Sequence, residues 1–366
     1  MNLELTDEQV ALRDTVRSFL AEKASIAGHV RPLLDDATGT TEAVWRGLAD
    51  LGTTGLLVPS EYDGAGMTMV EAGIVLEELG ARLHPGPWLS TAVTATRALT
   101  RFEVDDSVAA PIFTGIAEGS LTATVGPLAG GRPSVADRGD GVAVHGEIEA
   151  AWDVAAADVI LVLADDRDGT GLFAVAPSTP GIEITAQTGI DQTRKQFRIR
   201  LDDTPGQYLG AASADAIEAL IDDVTIAWAA DALGAARAIL DLVLEYAKVR
   251  RQFGQPIGAF QAVQHLCVDM YETVELARSG VIHALWAADA GSRATRHSAA
   301  LRTKAFAGRL AAVGDTAIQV FGGIGYTWEH DAHLYLKRLL SWSAFLDQPD
   351  HCLVQLGAEF AESVLH

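Results

Sequence analysis

Cysteine and basic residues are scarce in this chain. With only Cys267 and Cys352 among 366 residues, the sequence excludes a framework of several disulfides and a zinc site built on cysteines, and it favours a reducing compartment. The 27 lysines and arginines are outnumbered by 49 aspartates and glutamates, which gives a formal net charge of -22. Such a surface disfavours nucleic acids and anionic membranes as partners, because both are bound through clustered cations.

Long apolar runs are missing as well. The most apolar long stretch, residues 226–244, is interrupted by Asp231, Arg237 and Asp241 and predicts a buried helix, since a membrane span needs about 20 mainly apolar residues. The N-terminus lacks the basic start and apolar core of a signal peptide, so we expect a cytoplasmic protein. With 49% hydrophobic and 21% charged residues, the composition is typical of a globular chain with two or three domains.

Hydrophobic patterning divides the chain into three stretches. Residues 1–110 carry apolar residues at helical spacing, and residues 111–205 contain short β-prone segments that predict a small β barrel or sandwich. Residues 206–366 return to long amphipathic patterns, typical of a four-helix bundle. The predicted fold is therefore α+β and mostly helical, with an N-terminal helical domain, a middle β domain and a C-terminal helical domain. The helices predicted in the last stretch include 213–224, a separate one through 233–247, 261–288 and 302–320.

The segment RRQFGQPIG, which begins at Arg250, follows a helical pattern and is broken by glycine and proline. Its two arginines stand beside Phe253. Guanidinium groups bind phosphate oxygens in pairs and an apolar neighbour excludes water, so the segment suits an anion that carries a flat group. The alternative is an ordinary corner between helices, whose solvated arginines complement the helix dipole.

A second segment, QVFGGIGYTWEHDAHLYLKR, begins at Gln319. Gly322 and Gly323 allow a backbone to approach a ligand closely, where a Cβ would stand in the way. Alternatively, either glycine simply ends a helix.

Metal and hydrolase chemistry have no support in the sequence. His265, His330 and His333 do not combine with carboxylates at the spacing of a metal site, so we expect packed or surface histidines and no metal. No G-x-S-x-G segment predicts a hydrolase.

In order and separation, the two segments resemble the R-x-x-F-G-x-x-I motif and the glycine-rich loop of acyl-CoA dehydrogenases. The resemblance extends more weakly over nearly the whole chain, and it implies the fold given above, FAD as cofactor and an acyl-CoA substrate. In that family, the two segments serve the adenine and pyrophosphate end of an FAD held mainly by a neighbouring subunit. By match to the motifs, the cofactor-binding residues are Arg250, Gln252, Phe253, Gln264, Gln319, Gly322 and Gly323.

The middle stretch departs from the family pattern. Active members carry T-E-P-G-A-G-S and W-I-T or W-I-S, whose donors and indole hold the flavin ring. This chain offers GPLAGG from Gly126 and the pair Trp152-Asp153, so the serine and threonine donors are missing. An aspartate there would be unfavourable beside a reduced, anionic flavin. We expect Trp152 to be packed in a core.

The catalytic base is the other departure. Dehydrogenation needs a carboxylate in a dry pocket, in most members a glutamate in a Y-E-G-T stretch. A count from Gly323 reaches Leu346, so Asp347 is the candidate, although its side chain is one methylene shorter. Other members place the glutamate on an earlier helix, where this chain has Val224 beside Asp223. The third interpretation is that this chain carries no base.

These departures lead to one main hypothesis and two alternatives. The main hypothesis is an acyl-CoA dehydrogenase subunit of a heteromer, whose partner supplies the glutamate and the ring contacts. An α2β2 heterotetramer like the paired dehydrogenases of actinobacterial steroid side-chain breakdown would fit, and a homo-oligomer is the alternative assembly. The alternatives are a scaffold or binding subunit that has lost flavin, and a flavin oxidase or monooxygenase on the same fold.

Overall fold

The computed structural model describes residues 4–138 and 141–365, and side chains up to residue 361. Its α-helices are α1 (Asp7–Lys23), α2 (Glu42–Asp50), α3 (Met69–Ala81), α4 (Thr96–Arg101), α5 (Asp106–Ala117), α6 (Ala214–Val249), α7 (Gln261–Ala290), α8 (Arg293–Ala305), α9 (Ala307–Phe321), α10 (Ala332–Ala344) and α11 (Pro349–Leu365). Its strands are β1 (Glu103–Val104), β2 (Ala123–Gly126), β3 (Ser134–Asp137), β4 (Val142–Trp152), β5 (Val159–Asp165), β6 (Thr170–Val175), β7 (Ile182–Gln187), β8 (Gln196–Ala211), β9 (Arg251–Gln252) and β10 (Gln255–Pro256). Within these residues, no helix has the length and apolar character needed to span a bilayer.

The chain forms two compact units. The helical unit comprises Met1–Ile26, Gly73–His84 and Thr225–His366, and the barrel unit comprises Ala27–Ala72 and Pro85–Val224. The three-domain division at residues 110 and 205 stays a prediction.

A closed sheet dominates the barrel unit. Strand β8 pairs with β4, β4 with β3, β3 with β5, β5 with β6, and β6 again with β8, so the sheet returns to its start. Inward-facing side chains such as Val144, Ile160, Phe173 and Ile199 fill the interior. The predicted small β barrel is therefore confirmed, while β1, β3 and β7 are additional strands. Strand β7 has no fully buried residue, which explains why it lacks an apolar run.

Helix α6 is the longest element and continues without a break for 36 residues. The prediction of two separate helices, over 213–224 and 233–247, is wrong because residues 225–232 between them are helical too. The single helix expected over 302–320 is wrong too, since Phe306 separates α8 from α9. Gly308 follows the break by two residues but lies within α9, and no proline stands there.

Two glycines let α3 and α6 meet backbone to backbone in the helical unit. A Cβ on Gly80 would lie 1.9 Å from the carbonyl oxygen of Asp231, and a Cβ on Gly234 would lie 1.9 Å from that of Glu77. Neither position can hold a larger residue unless a helix shifts. The crossing point of the two helices is thus fixed by sequence.

Candidate cofactor-binding site

A tight hairpin follows α6 and carries the first motif. The register of β9 and β10 leaves Phe253 and Gly254 as the central residues of the turn. Their φ angles are 51° and 83°, as in a type I′ hairpin turn. The Phe253 side chain is 92% exposed, and its ring meets that of Phe260 edge-on at 6.0 Å. A large aromatic residue in a left-handed conformation is locally unfavourable, so its presence at an exposed tip indicates a functional constraint.

Polar side chains surround the hairpin tip. Arg250 and Gln252 are exposed on the hairpin, and Gln264 is exposed on the first turns of α7. The Gln264 side-chain amide donates to the carbonyl of Gly258 at 2.9 Å, which ties α7 to the end of the motif. The hairpin and the first turns of α7 therefore present guanidinium groups, amides and the Phe253 ring to solvent.

The glycine-rich loop begins where α9 ends. Gly322 has φ 66° and ψ -145°, and its N–H caps the helix by donating to the carbonyl of Ile318. This conformation requires glycine, so ending the helix is a sufficient role for Gly322. Gly323 has no positive φ, and a Cβ on it would meet no atom within 4 Å. Neither local conformation nor packing explains a glycine at that position, which leaves room for a ligand.

One ring contact brings the two motifs together. Tyr246, in the last turn of α6, packs against Phe321, the last residue of α9, with ring centroids 5.0 Å apart. Arg250 follows Tyr246 by one turn, and Gly322 follows Phe321 directly. All the predicted cofactor-binding residues are exposed, and we call them the tail surface; it consists of Arg250, Gln252, Phe253, Gln264, Gln319, Gly322 and Gly323.

The positions expected to hold a flavin ring are arranged differently. Asp153 is buried, has φ 57° and accepts a 2.5 Å hydrogen bond from the Ser90 hydroxyl. Its carboxylate therefore turns into the barrel unit. Trp152 is half-buried, and its carbonyl accepts a hydrogen bond from Thr124 at 2.6 Å. No sequence signal pointed to Ser90, which lies 63 residues from its partner. The residues present fit the nucleotide tail of FAD and do not fit the ring.

Asp347 lies between α10 and α11, directly after Leu346, whose φ is 58°. Its carboxylate accepts hydrogen bonds from the backbone N–H of Gln348 and from His351, both at 2.7 Å. Partial burial alone would raise the pKa of Asp347, but the hydrogen bonds from His351 and Gln348 outweigh it and lower the pKa. A carboxylate committed to these donors is a weak base.

Asp223 is fully buried in the barrel unit and is ion-paired. Its two oxygens accept from Arg101 at 2.9 and 3.2 Å, and Arg97 lies 3.6 Å away. The carboxylate is therefore held in an ion pair with two guanidinium groups. The geometry of both aspartates favours the interpretation that this chain carries no base.

Two family models match the chain. The model of the acyl-CoA dehydrogenase N-terminal domain matches residues 6–102, and that of the C-terminal domain matches residues 215–345. The chain therefore belongs to the acyl-CoA dehydrogenases, which are FAD-dependent oxidoreductases. The predicted family, class of enzyme and cofactor are confirmed.

Individual relatives cover almost the entire chain. It is 33% identical over 360 residues to the acyl-CoA dehydrogenase IpdE2 of Mycobacterium tuberculosis, with 98% of each protein covered. Among solved structures, a variant of the Tcur3481-Tcur3483 steroid ACAD is 28% identical, with a TM-score of 0.87 and 98% and 99% of the two chains covered. A chain of the ChsE4-ChsE5 complex from Mycobacterium tuberculosis is 25% identical to this one, with a TM-score of 0.89 and 99% of each of the two compared chains covered. The predicted helical and β architecture is confirmed by these likenesses.

Proposed function

We propose that this chain takes part in the α,β-dehydrogenation of an acyl-CoA thioester as one subunit of a heteromer. The other acyl-CoA dehydrogenase subunit supplies the catalytic glutamate and the flavin-ring contacts. One contrast carries the proposal. The tail surface is exposed and open, whereas Asp153, at the position expected beside the ring, is buried against Ser90.

Each part of the tail surface has a chemical role in this proposal. FAD, when bound, supplies the acceptor for the β-hydride of the thioester. Arg250 binds the pyrophosphate through its guanidinium fork, and Gly323 lets the loop backbone come close to the adenosine. Phe253 covers the nucleotide with an apolar face, which excludes water and strengthens the charge-assisted hydrogen bonds around it.

The assembly and the substrate class are also proposals. The similarity to the ChsE4-ChsE5 complex and to the Tcur3481-Tcur3483 steroid ACAD supports a heterotetramer that acts on a steroid-derived CoA ester. A homo-oligomer is the competing assembly. The expected cytoplasmic location stays a prediction.

Flavin content and turnover test the proposal. The chain should be purified alone and with candidate partner subunits, and its FAD measured by absorbance. We expect little FAD in the lone chain, and FAD with turnover in the heteromer. A full complement of FAD and turnover in the lone chain would refute the heteromer.

A matched pair of arginine variants tests the tail surface. Arg250→Ala should lower FAD content, while Arg198→Ala, which removes an exposed arginine of strand β8 in the barrel unit, should leave it unchanged. If Arg250→Ala changes neither FAD content nor activity, the scaffold alternative is favoured. This chain would then contribute no contact to the pyrophosphate, and its two candidate bases, Asp347 and Asp223, are both engaged in other contacts. Oxygen consumption without an added electron acceptor would favour an oxidase or monooxygenase.

A further inference from the structure

His330 occupies the junction between the glycine-rich loop and α10. Its Nδ1 accepts a hydrogen bond from the backbone N–H of Ala332 at 3.1 Å. The N-cap residue of α10, Asp331, makes no side-chain capping bond. The first N–H groups of a helix have no acceptor within the helix, and His330 accepts from one of those in α10. Since a backbone N–H can only donate, this bond requires Nδ1 to carry a lone pair.

The same imidazole ring also packs against the start of the loop. Its centroid lies 4.3 Å from that of Phe321, the last residue of α9. Phe321 in turn packs against Tyr246 of α6 at 5.0 Å. These three residues form what we call the ring stack. It joins the end of α6, the end of α9 and the start of α10 in one row of contacts.

The ring stack closes the glycine-rich loop on itself. Phe321 and His330 are nine positions apart in sequence but touch in space, and Gly322 and Gly323 lie on the chain between them. Tyr326 and Trp328, on the same stretch, are 71% and 58% exposed, so the loop gains little from burial of its own side chains. The stretch forms a 3-10 helix over Gly322–Tyr326, and the ring stack adds to the bonds of that helix by holding its two flanks together.

We propose that His330 is a positioning residue for the FAD tail. Through the bond to Ala332 it fixes where α10 begins, and through Phe321 it fixes where the loop departs from α9. Together these contacts set the place of Gly323 relative to Arg250. This inference rests on the proposed function, because it assumes that the tail surface binds FAD.

Two substitutions separate the two contacts of His330. His330→Asn keeps a short side-chain acceptor for the Ala332 N–H and removes the ring, and His330→Phe keeps a ring against Phe321 and removes the acceptor. The matched control is His283→Asn on α7, because His283 also packs against an aromatic ring, that of Trp286 at 5.9 Å, and lies outside the ring stack.

The experiment measures FAD affinity, the KM for acyl-CoA and the thermal midpoint of the assembled heteromer. Loss of a helix cap or of one ring contact corresponds to roughly a 3- to 30-fold change in an equilibrium constant. We expect each His330 variant to weaken FAD binding by about that factor while the KM for acyl-CoA stays unchanged. The control variant should match the unmodified protein in all three measurements.

Arg250→Ala distinguishes a failure of this inference from a failure of the proposed function. If Arg250→Ala weakens FAD binding and both His330 variants leave it unchanged, His330 does not position the site and the proposed function stands. If the His330 variants raise the KM for acyl-CoA and lower FAD affinity by equal factors, the residue supports the fold in general and the inference is wrong. If Arg250→Ala also leaves FAD affinity unchanged, both proposals fail.

Discussion

Replacing Phe253 by asparagine should stabilise the chain and weaken its binding of FAD. A residue other than glycine in a left-handed conformation costs roughly 1–2 kcal/mol, and asparagine tolerates this conformation better than most residues. Phe253 has φ 51°, so the substitution relieves most of that cost. Little is lost in return, because the side chain is 92% exposed and its main ring contact is an edge-on approach to Phe260. We expect a net gain of about 0.5–1 kcal/mol in the free energy of unfolding.

The effect on FAD has the opposite sign. Full burial of a phenylalanine side chain against a ligand or partner is worth about 1.5–3 kcal/mol, which corresponds to a roughly 10- to 150-fold change in affinity. Urea unfolding of the chain alone measures the first effect, and FAD titration of the heteromer measures the second. Phe253→Tyr is the matched control, because it keeps both the strained conformation and the ring.

Either half of this prediction can fail by itself. If Phe253→Asn lowers the free energy of unfolding, the strain argument is wrong. Unchanged FAD affinity in the asparagine variant would mean that the hairpin tip does not reach the cofactor, and the tail surface would lose its central element.

Other positions give further predictions. Gly323→Ala should leave the thermal midpoint unchanged, since its Cβ would meet no atom, but it should weaken FAD binding about tenfold. Gly322→Ala, at φ 66°, should instead lower the free energy of unfolding by about 1–2 kcal/mol. Thermal melting and FAD titration of both variants check this pair. Asp347→Asn should not change kcat of the heteromer. Because the pKa of Asp347 is lowered in the folded chain, its carboxylate stabilises the fold above about pH 4, and this contribution disappears as the pH falls through the lowered pKa, so urea unfolding should show the two proteins converging in acid. Desolvation by burial lowers the pKa of Lys304 from 10.5 to about 8 and raises that of the neighbouring Cys352 from 9.0 to about 11. The stability contributed by Lys304 therefore rises between about pH 8 and 10.5, and the stability contributed by Cys352 falls between about pH 9 and 11. Near pH 10 the two trends cancel, so the free energy of unfolding of the unmodified chain should change little there. In Cys352→Ala only the Lys304 trend remains, so its free energy of unfolding should rise by on the order of 3 kcal/mol from pH 8 upwards.

The elements that the sequence predicts well are those whose pattern is local. Strand β5 is an apolar run and was expected, whereas β7 alternates between half-buried and exposed residues and was not. The two helices predicted in place of α6 are one helix, which carries Asp222 and Asp223, two acids of a type that normally marks a surface. Asp223 is buried because Arg101 reaches it from 122 residues earlier in the chain. Spacing within a window cannot show such a partner.

The same limit applies to the candidate site. The motifs placed Arg250 and Gly323 at the ends of helices, where the structure has them. The contact between Tyr246 and Phe321 that joins the two segments spans 75 positions and leaves no mark in either motif. Missing flavin donors could be read from the residue types around Trp152. The hydrogen bond between Asp153 and Ser90 could not be read from the sequence, because the two residues lie 63 positions apart in the chain.

The glycine crossing of α3 and α6 has a consequence for the far end of the longer helix. Val249, the last residue of α6, lies 15 positions after Gly234, so at 1.5 Å per residue this part of the helix is about 22 Å long, and Arg250 follows directly after it. A methyl group added at Gly234 would tilt α6 relative to α3. A small change in that crossing angle would displace Arg250 by ångströms, where the nucleotide is expected. A substitution far from any ligand would then mimic an active-site defect.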